Sequence, residues 1–140
     1  MKKKFNFVKE FKINKRLISA NNVPYIVAEM SANHCGSLRK AFKIISSAKK
    51  NGADAIKIQT YNADSMTIKS KKGQFYIKKG LWKNKNLYNL YKKASTPLNW
   101  IKPLFQEAKK NNITVFSTPF DLKGLEELEK FNPPAYKIAS

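Results

Sequence analysis

The chain has 140 residues, 42% of them hydrophobic, with a formal net charge of +19, one cysteine and one histidine. That length and apolar content suit one domain with a buried core and exclude wholesale disorder. No apolar run approaches the roughly 20 residues of a membrane helix, the Lys-rich start lacks a signal peptide's apolar stretch, and a lone Cys35 excludes an internal disulfide and fits a reducing cytoplasm.

After a basic start at Met1–Lys4, the pattern of Phe11–Ile13 and Leu17–Ser19 predicts a small β-hairpin turning at Asn14, followed by a loop through Asn21, Asn22 and Pro24. Tyr25–Met30 alternates and predicts a strand, with Glu29 an unexpected carboxylate near its end. A polar loop, Ser31–Ser37, leads to a helix over Leu38–Asn51, capped by Ser37 and stopped at Asn51-Gly52.

Gly52–Tyr61 is the most informative stretch. Ala55, Lys57 and Gln59 point one way and Ile56, Ile58 and Thr60 the other, a period of two. A mid-strand lysine opposite two isoleucines lies either on an exposed sheet face or in a polar cavity, and the first is commoner because buried lysines are rare. A long connection, 62–86, then exceeds the about 2–6 residues of ordinary loops and reads as functional or mobile. Helices are predicted over Leu87–Ala94 and from Thr96-Pro97 to Asn112, a strand over Thr114–Thr118, a helix over Leu122–Phe131 and a last strand over Tyr136–Ser140. Trp82, Trp100 and the tyrosines of Leu87–Tyr91 read as packing residues, and Cys35 as structural, with no nearby charge to activate a thiolate.

Strands alternating with helices imply parallel strands with helical crossovers. An open doubly wound sheet and a (β/α) barrel both satisfy that order, but the dinucleotide fingerprint is absent, with only Gly36 after the first strand. In a barrel, polar residues at the strand ends face the catalytic mouth, as Glu29, Lys57, Gln59, Ser117, Thr118 and Lys137 would. Four strands are half of a barrel of about 250 residues. The expected architecture is therefore α/β: the N-terminal half of a parallel TIM-type barrel over residues 23–140, preceded by an extension and hairpin over residues 1–22.

The charge has three explanations: nucleic-acid binding, an anionic small substrate, or compositional drift toward lysine. The lysines come as scattered pairs, and only Arg16 and Arg39 supply guanidinium forks, which weighs against nucleic acid and toward drift.

Four segments in order resemble the sialic acid synthase family: Ala28-Glu29-Met30-Ser31-Ala32-Asn33-His34, Gly52–Thr60, Ser117-Thr118-Pro119-Phe120 and Pro134–Ser140. Met30-Ser31-Ala32 and the Leu81-Trp82 region lean toward its pseudaminic branch. The resemblance covers roughly residues 11–140 and implies a (β/α) barrel followed, in the whole protein, by an antifreeze-like domain. It implies a cytoplasmic homodimer that condenses phosphoenolpyruvate with an N-acetylated amino sugar, a 6-deoxy diacetamido hexose, to a nonulosonic acid and phosphate. By resemblance, Lys57, Lys137 and Ser140 bind phosphoenolpyruvate, Glu29 is the catalytic carboxylate, and Gln59, Thr118, Asn33 and His34 line the site. A divalent metal, Mn2+ or Mg2+, is implied for the whole enzyme. Its two histidine ligands belong to later strands, so no metal ligand is expected in this chain and the chain alone is expected to be inactive. A neuraminate or legionaminate synthase of the same family, and a non-catalytic basic nucleic-acid-binding module, are the competing readings.

Overall fold

The computed structural model describes residues 9–139. The hairpin forms as the sequence predicts: β1 (Glu10–Ile13) pairs antiparallel with β2 (Arg16–Ser19), and Asn14 takes the left-handed conformation the turn needs, at φ 54°.

The main sheet has three parallel strands in chain order, β3 (Val27–Glu29), β4 (Ala55–Thr60) and β5 (Thr114–Pro119). Crossovers run through α1 (Leu38–Lys50) and α4 (Ile101–Lys110). Between β4 and α4 lie a short helix α2 (Ala63–Met66) and α3 (Leu87–Ala94), and α5 (Leu122–Glu129) follows β5. Ser37 caps α1 by accepting the Lys40 N–H at 3.3 Å, as its position predicts.

One face of this sheet is closed. Met30, Ile56, Ile58 and Val115 pack against Ala41 and Ile45 of α1 and Leu104 and Ala108 of α4. The β3–β4–β5 register puts Glu29 beside Lys57, Lys57 beside Phe116 and Gln59 beside Thr118. Strand alternation turns these residues to the opposite face from the helical core.

Three expectations change. The first strand is shorter than Tyr25–Met30 because the Ile26 N–H is taken by the Asp54 carboxylate at 2.8 Å rather than by a strand partner. Pro97 does not open α4. It caps a 3₁₀ turn over Leu98–Trp100, and α4 begins at Ile101. Pro103 explains this, since it lacks an N–H for a continuous helix from residue 98 and is tolerated only in a first turn.

The strand expected over Tyr136–Ser140 is reduced to one parallel bridge, Tyr136 to Ser117, with the Lys137 N–H donating to the Ser117 carbonyl at 3.0 Å. The next donor needed in that register is Pro119, which has no N–H. Ser140 lies outside the described residues. The long 62–86 connection is also more ordered than a loop. Asn62 forms a capping box with Ser65, and Tyr76 bridges Asn86.

Candidate active site

Parallel strands present their C-terminal ends together, and the polar residues gather at that end of this sheet. Glu29 is the last residue of β3, and its register partner in mid-β4 is Lys57. The two side chains meet as an ion pair, Lys57 Nζ to Glu29 Oε2. The Lys57 side chain is 17% exposed and that of Glu29 41%. An ammonium that deep needs a partner, and a carboxylate one strand away on the same face supplies it.

Glu29 is held from a second side. The Ser31 N–H donates to its Oε1 at 3.1 Å. Ser31 adopts φ 47°, the left-handed region, which turns its amide back toward the strand it has just left. Its hydroxyl reaches Gln59 Oε1 at 3.5 Å. Ser31 is therefore a hydrogen-bonded neighbour of Glu29 that residue type alone did not single out; a short polar residue directly after the strand end was the available signal.

Thr118 stands next to Gln59 in register and is 2% exposed. Its Oγ1 is buried without a hydrogen-bond partner among the described residues. A buried hydroxyl left unpaired costs roughly 1–3 kcal/mol; the His34 Nε2 is likewise buried without a partner among the described residues. Ser117, one residue earlier, faces the other way and is fully paired. Its hydroxyl lies 2.7 Å from Thr60 Oγ1 and donates to the Ile58 carbonyl at 3.1 Å. Ser117 ties two strands together and has no free polar capacity for the mouth.

The register groups Glu29, Lys57, Gln59 and Thr118 on one face. Lys137 follows the single Tyr136–Ser117 bridge and is exposed. His34 and Asn33 are placed differently. His34 is fully buried, and its ring lies edge-on to Trp100 at 5.4 Å. Its Nδ1 accepts the Gly36 N–H at 3.1 Å, so the neutral ring carries its proton on Nε2. Burial holds its pKa below the usual histidine value. His34 braces the Ser31–Ser37 loop from inside, and Asn33 is exposed on the loop's outer side.

At the opposite end of the sheet, Asp54 binds Arg16 of the hairpin and the Ile26 N–H. Arg16 also donates to the carbonyls of Val23 and Pro24 at 3.2 and 3.1 Å and lies over the Tyr25 ring at 5.3 Å. Sequence reading did not find this clamp, because its partners are 38 residues apart in the chain.

Among the described residues, no group of three or more His, Cys, Asp or Glu side chains could hold a metal, and no helix is long and apolar enough to cross a membrane. The arrangement places an ammonium and a carboxylate together at the C-terminal end of the sheet, beside the Gln59 amide and the Thr118 hydroxyl.

Known proteins resemble this chain in sequence and fold. The chain is 53% identical over 116 residues to a Campylobacter jejuni protein named pseudaminic acid synthase, covering 83% of this chain and 34% of that protein. It is 50% identical to the Helicobacter pylori protein of the same name, covering 84% and 34%. The chain spans about a third of the length of the curated relatives it matches. The crystal structure of an N-acetylneuraminic acid synthetase from Leptospira borgpetersenii superposes with a TM-score of 0.76 at 30% identity, covering 92% of this chain and 40% of that one. With the hairpin, the parallel strands and their flanking helices, this is the architecture of a partial TIM-type barrel. A family model described as the NeuB family matches residues 44–140, and the chain belongs to that family.

Proposed function

We propose that this chain forms the phosphoenolpyruvate-binding side of a nonulosonic acid synthase, which condenses phosphoenolpyruvate with an N-acetylated 6-deoxy diacetamido hexose to give an acid such as pseudaminic acid. The observation that carries this reading is the Glu29–Lys57 pair on adjacent parallel strands, with Gln59 and Thr118 one step further along the same face. Its support from relatives is the 53% identity to a protein named pseudaminic acid synthase, against 34% to one named N,N'-diacetyllegionaminic acid synthase. A neuraminate or legionaminate substrate is the alternative within the same chemistry.

The chemistry follows from charge. Phosphoenolpyruvate is a small, multiply charged anion, and fixed cations stabilise it more than neutral donors do. Lys57 has three N–H donors and one carboxylate partner among the described residues, which leaves capacity for a phosphate or carboxylate oxygen. Lys137 supplies a second point charge across Thr118, and the Thr118 hydroxyl a hydrogen bond. Ser140 keeps its assignment by resemblance.

Carbon 3 of the enol ester attacks the aldehyde carbon of the open-chain sugar; the C–C bond forms, the aldehyde C=O pair moves to oxygen, and a cation is left at carbon 2. Water adds to carbon 2, its proton passes by way of a base to the new alkoxide, and the C–O bond to phosphate then breaks as the carbon 2 hydroxyl becomes a carbonyl and its proton leaves with phosphate. As the substrate anion draws the Lys57 ammonium, the Glu29 carboxylate gives up its ionic partner and becomes the base within reach of that water. Among the described residues no cluster would hold a metal; the divalent ion of the proposed reaction, Mn2+ or Mg2+, would depend on other groups and would polarise the sugar aldehyde as a Lewis acid. Residues 1–22 as extension and hairpin, residues 23–140 as barrel, a homodimer and a cytoplasmic setting complete the proposal.

The test is phosphate release by the full-length parent. Release should require phosphoenolpyruvate, the diacetamido sugar and a divalent metal together, and the product mass should equal that of a nonulosonic acid. Phosphate release that ignores the sugar would sink the reading.

A further inference from the structure

The connection between β4 and α4 carries a second polar cavity that the proposed reaction does not use. Between Asp64 and Glu107 the sequence has ten lysines and no carboxylate side chain. Within it, segment 76–86 folds back on itself. Tyr76 bridges Asn86, the Ile77 N–H donates to the Lys85 carbonyl at 3.0 Å, and the Asn84 N–H to the Ile77 carbonyl at 2.9 Å. Gly80 and Asn84 turn the tip, with φ of 80° and 66°. Asn86 fixes this loop to its surroundings, its Oδ1 accepting the Asn89 N–H at 3.3 Å and its Nδ2 donating to the Ser70 carbonyl at 2.8 Å.

A cavity of about 360 Å³ lies between that loop and α3, lined by Tyr76, Trp82, Asn84, Lys85, Asn89 and Lys93 with their neighbours. Trp82 reads as a packing residue in the sequence, yet it is 51% exposed, whereas Trp100 packs against the core. Its indole therefore offers a face to the cavity rather than to the core of this chain. Among the described residues the side chains of Asn84 and Asn89 make no hydrogen bond, and Lys85 and Lys93 no salt bridge. The cavity therefore offers an aromatic face, two unengaged amides and two ammonium groups, and no carboxylate lines it.

We propose that this cavity binds an acidic monosaccharide. Indole and phenol faces stack on the apolar face of a sugar ring, the amides satisfy hydroxyls in both donor and acceptor senses, and the lysines neutralise one carboxylate. The volume sits near the lower end of ligand pockets, which run roughly 300–1,000 Å³, and suits one sugar rather than a chain. The inference stands on this cavity and does not depend on the proposed reaction. If that reaction holds, the ligand has the chemistry of its product, and the cavity would sense product on the connection that leaves the mouth end of β4.

Calorimetric titration of the full chain decides it, using N-acetylneuraminic acid, uncharged N-acetylmannosamine and the ringless anion phosphoenolpyruvate. The acidic sugar should bind one-to-one, more tightly than the neutral sugar and less tightly as salt rises. Trp82→Ala should weaken it about tenfold, Lys93→Glu should weaken it as well, and Lys57→Ala should leave it unchanged. Lys93 is exposed in the last turn of α3, so its variant probes charge without touching the core. Absence of binding to the unaltered chain, equal affinity for the neutral sugar, indifference to both cavity variants, or loss in Lys57→Ala would each overturn the proposal. Phosphoenolpyruvate binding that depends on Lys57 reports separately on the reaction.

Discussion

Arg16–Asp54 and Glu29–Lys57 are both ion pairs at the sheet, one at each end, but the first is tied into more of the backbone. Asp54 engages one oxygen with Arg16 and the other with the Ile26 N–H, and Arg16 adds two backbone carbonyls and lays its face over Tyr25. These contacts tie the hairpin and the start of β3 to the start of β4. Lys57 by contrast contacts one carboxylate among the described residues, beside an unpaired Thr118 hydroxyl. The first pair braces backbone from three elements. The second lies at the C-terminal end, where barrel enzymes keep their sites, and the proposed function has it exchange partners.

Removing one partner from each pair separates the two ends most strongly. In the full-length parent, Lys57→Ala should lower kcat/KM about 100- to 1,000-fold, the usual scale for removing a fixed charge stabiliser, with little change in the urea midpoint. Asp54→Asn should do the reverse. It should cost about 1.5–3 kcal/mol of stability through lost charge-assisted hydrogen bonds, read by urea unfolding, while the kcat/KM of the folded fraction stays put. Equal losses of activity from both variants would erase the distinction between the ends.

Neighbouring hydroxyls on opposite faces sharpen it further. Ser117→Ala should destabilise by about 1 kcal/mol and spare activity, because it removes paired hydrogen bonds behind the site. Thr118→Val should leave stability unchanged or raise it by about 1 kcal/mol, because its Oγ1 is unpaired, while KM for phosphoenolpyruvate rises. Steady-state kinetics and urea midpoints on the same two variants check both halves.

The smallest effect is on pH. His34 is the chain's single histidine, and its folded pKa lies below the ordinary 6.5 because burial disfavours the charged ring. The unfolded chain then binds the proton more readily, so the contribution is complete above pH 6.5 and is lost as pH falls through that value toward the folded pKa. Urea midpoints between about pH 5 and 8 should decline on the acid side, and His34→Gln should remove that part of the decline. An unchanged slope in the variant would assign it to other groups.

Much of the fold was legible because its signals are local. The hairpin turn at Asn14, the Ser37 cap and the alternation through Ala55–Thr60 each depend on a few adjacent residues, and each appears where the pattern puts it. The reading of Tyr136–Ser140 as a strand overreached, because extended residues become a strand only with a ladder partner, and Pro119 withholds the next donor. The order within 62–86 was missed for the opposite reason: its hydrogen bonds join loop residues that carry no periodic pattern.

Sequence by itself determined which residues could face which side of each strand, since a period of two is a property of the backbone. It thereby set Lys57 and Gln59 apart from Ile56 and Ile58. Tertiary structure alone decided that Glu29 meets Lys57, that Arg16 meets Asp54, and that His34 turns inward onto Trp100. Those pairings depend on inter-strand register and helix placement, which are settled by burying the whole core at once and by no single stretch of chain.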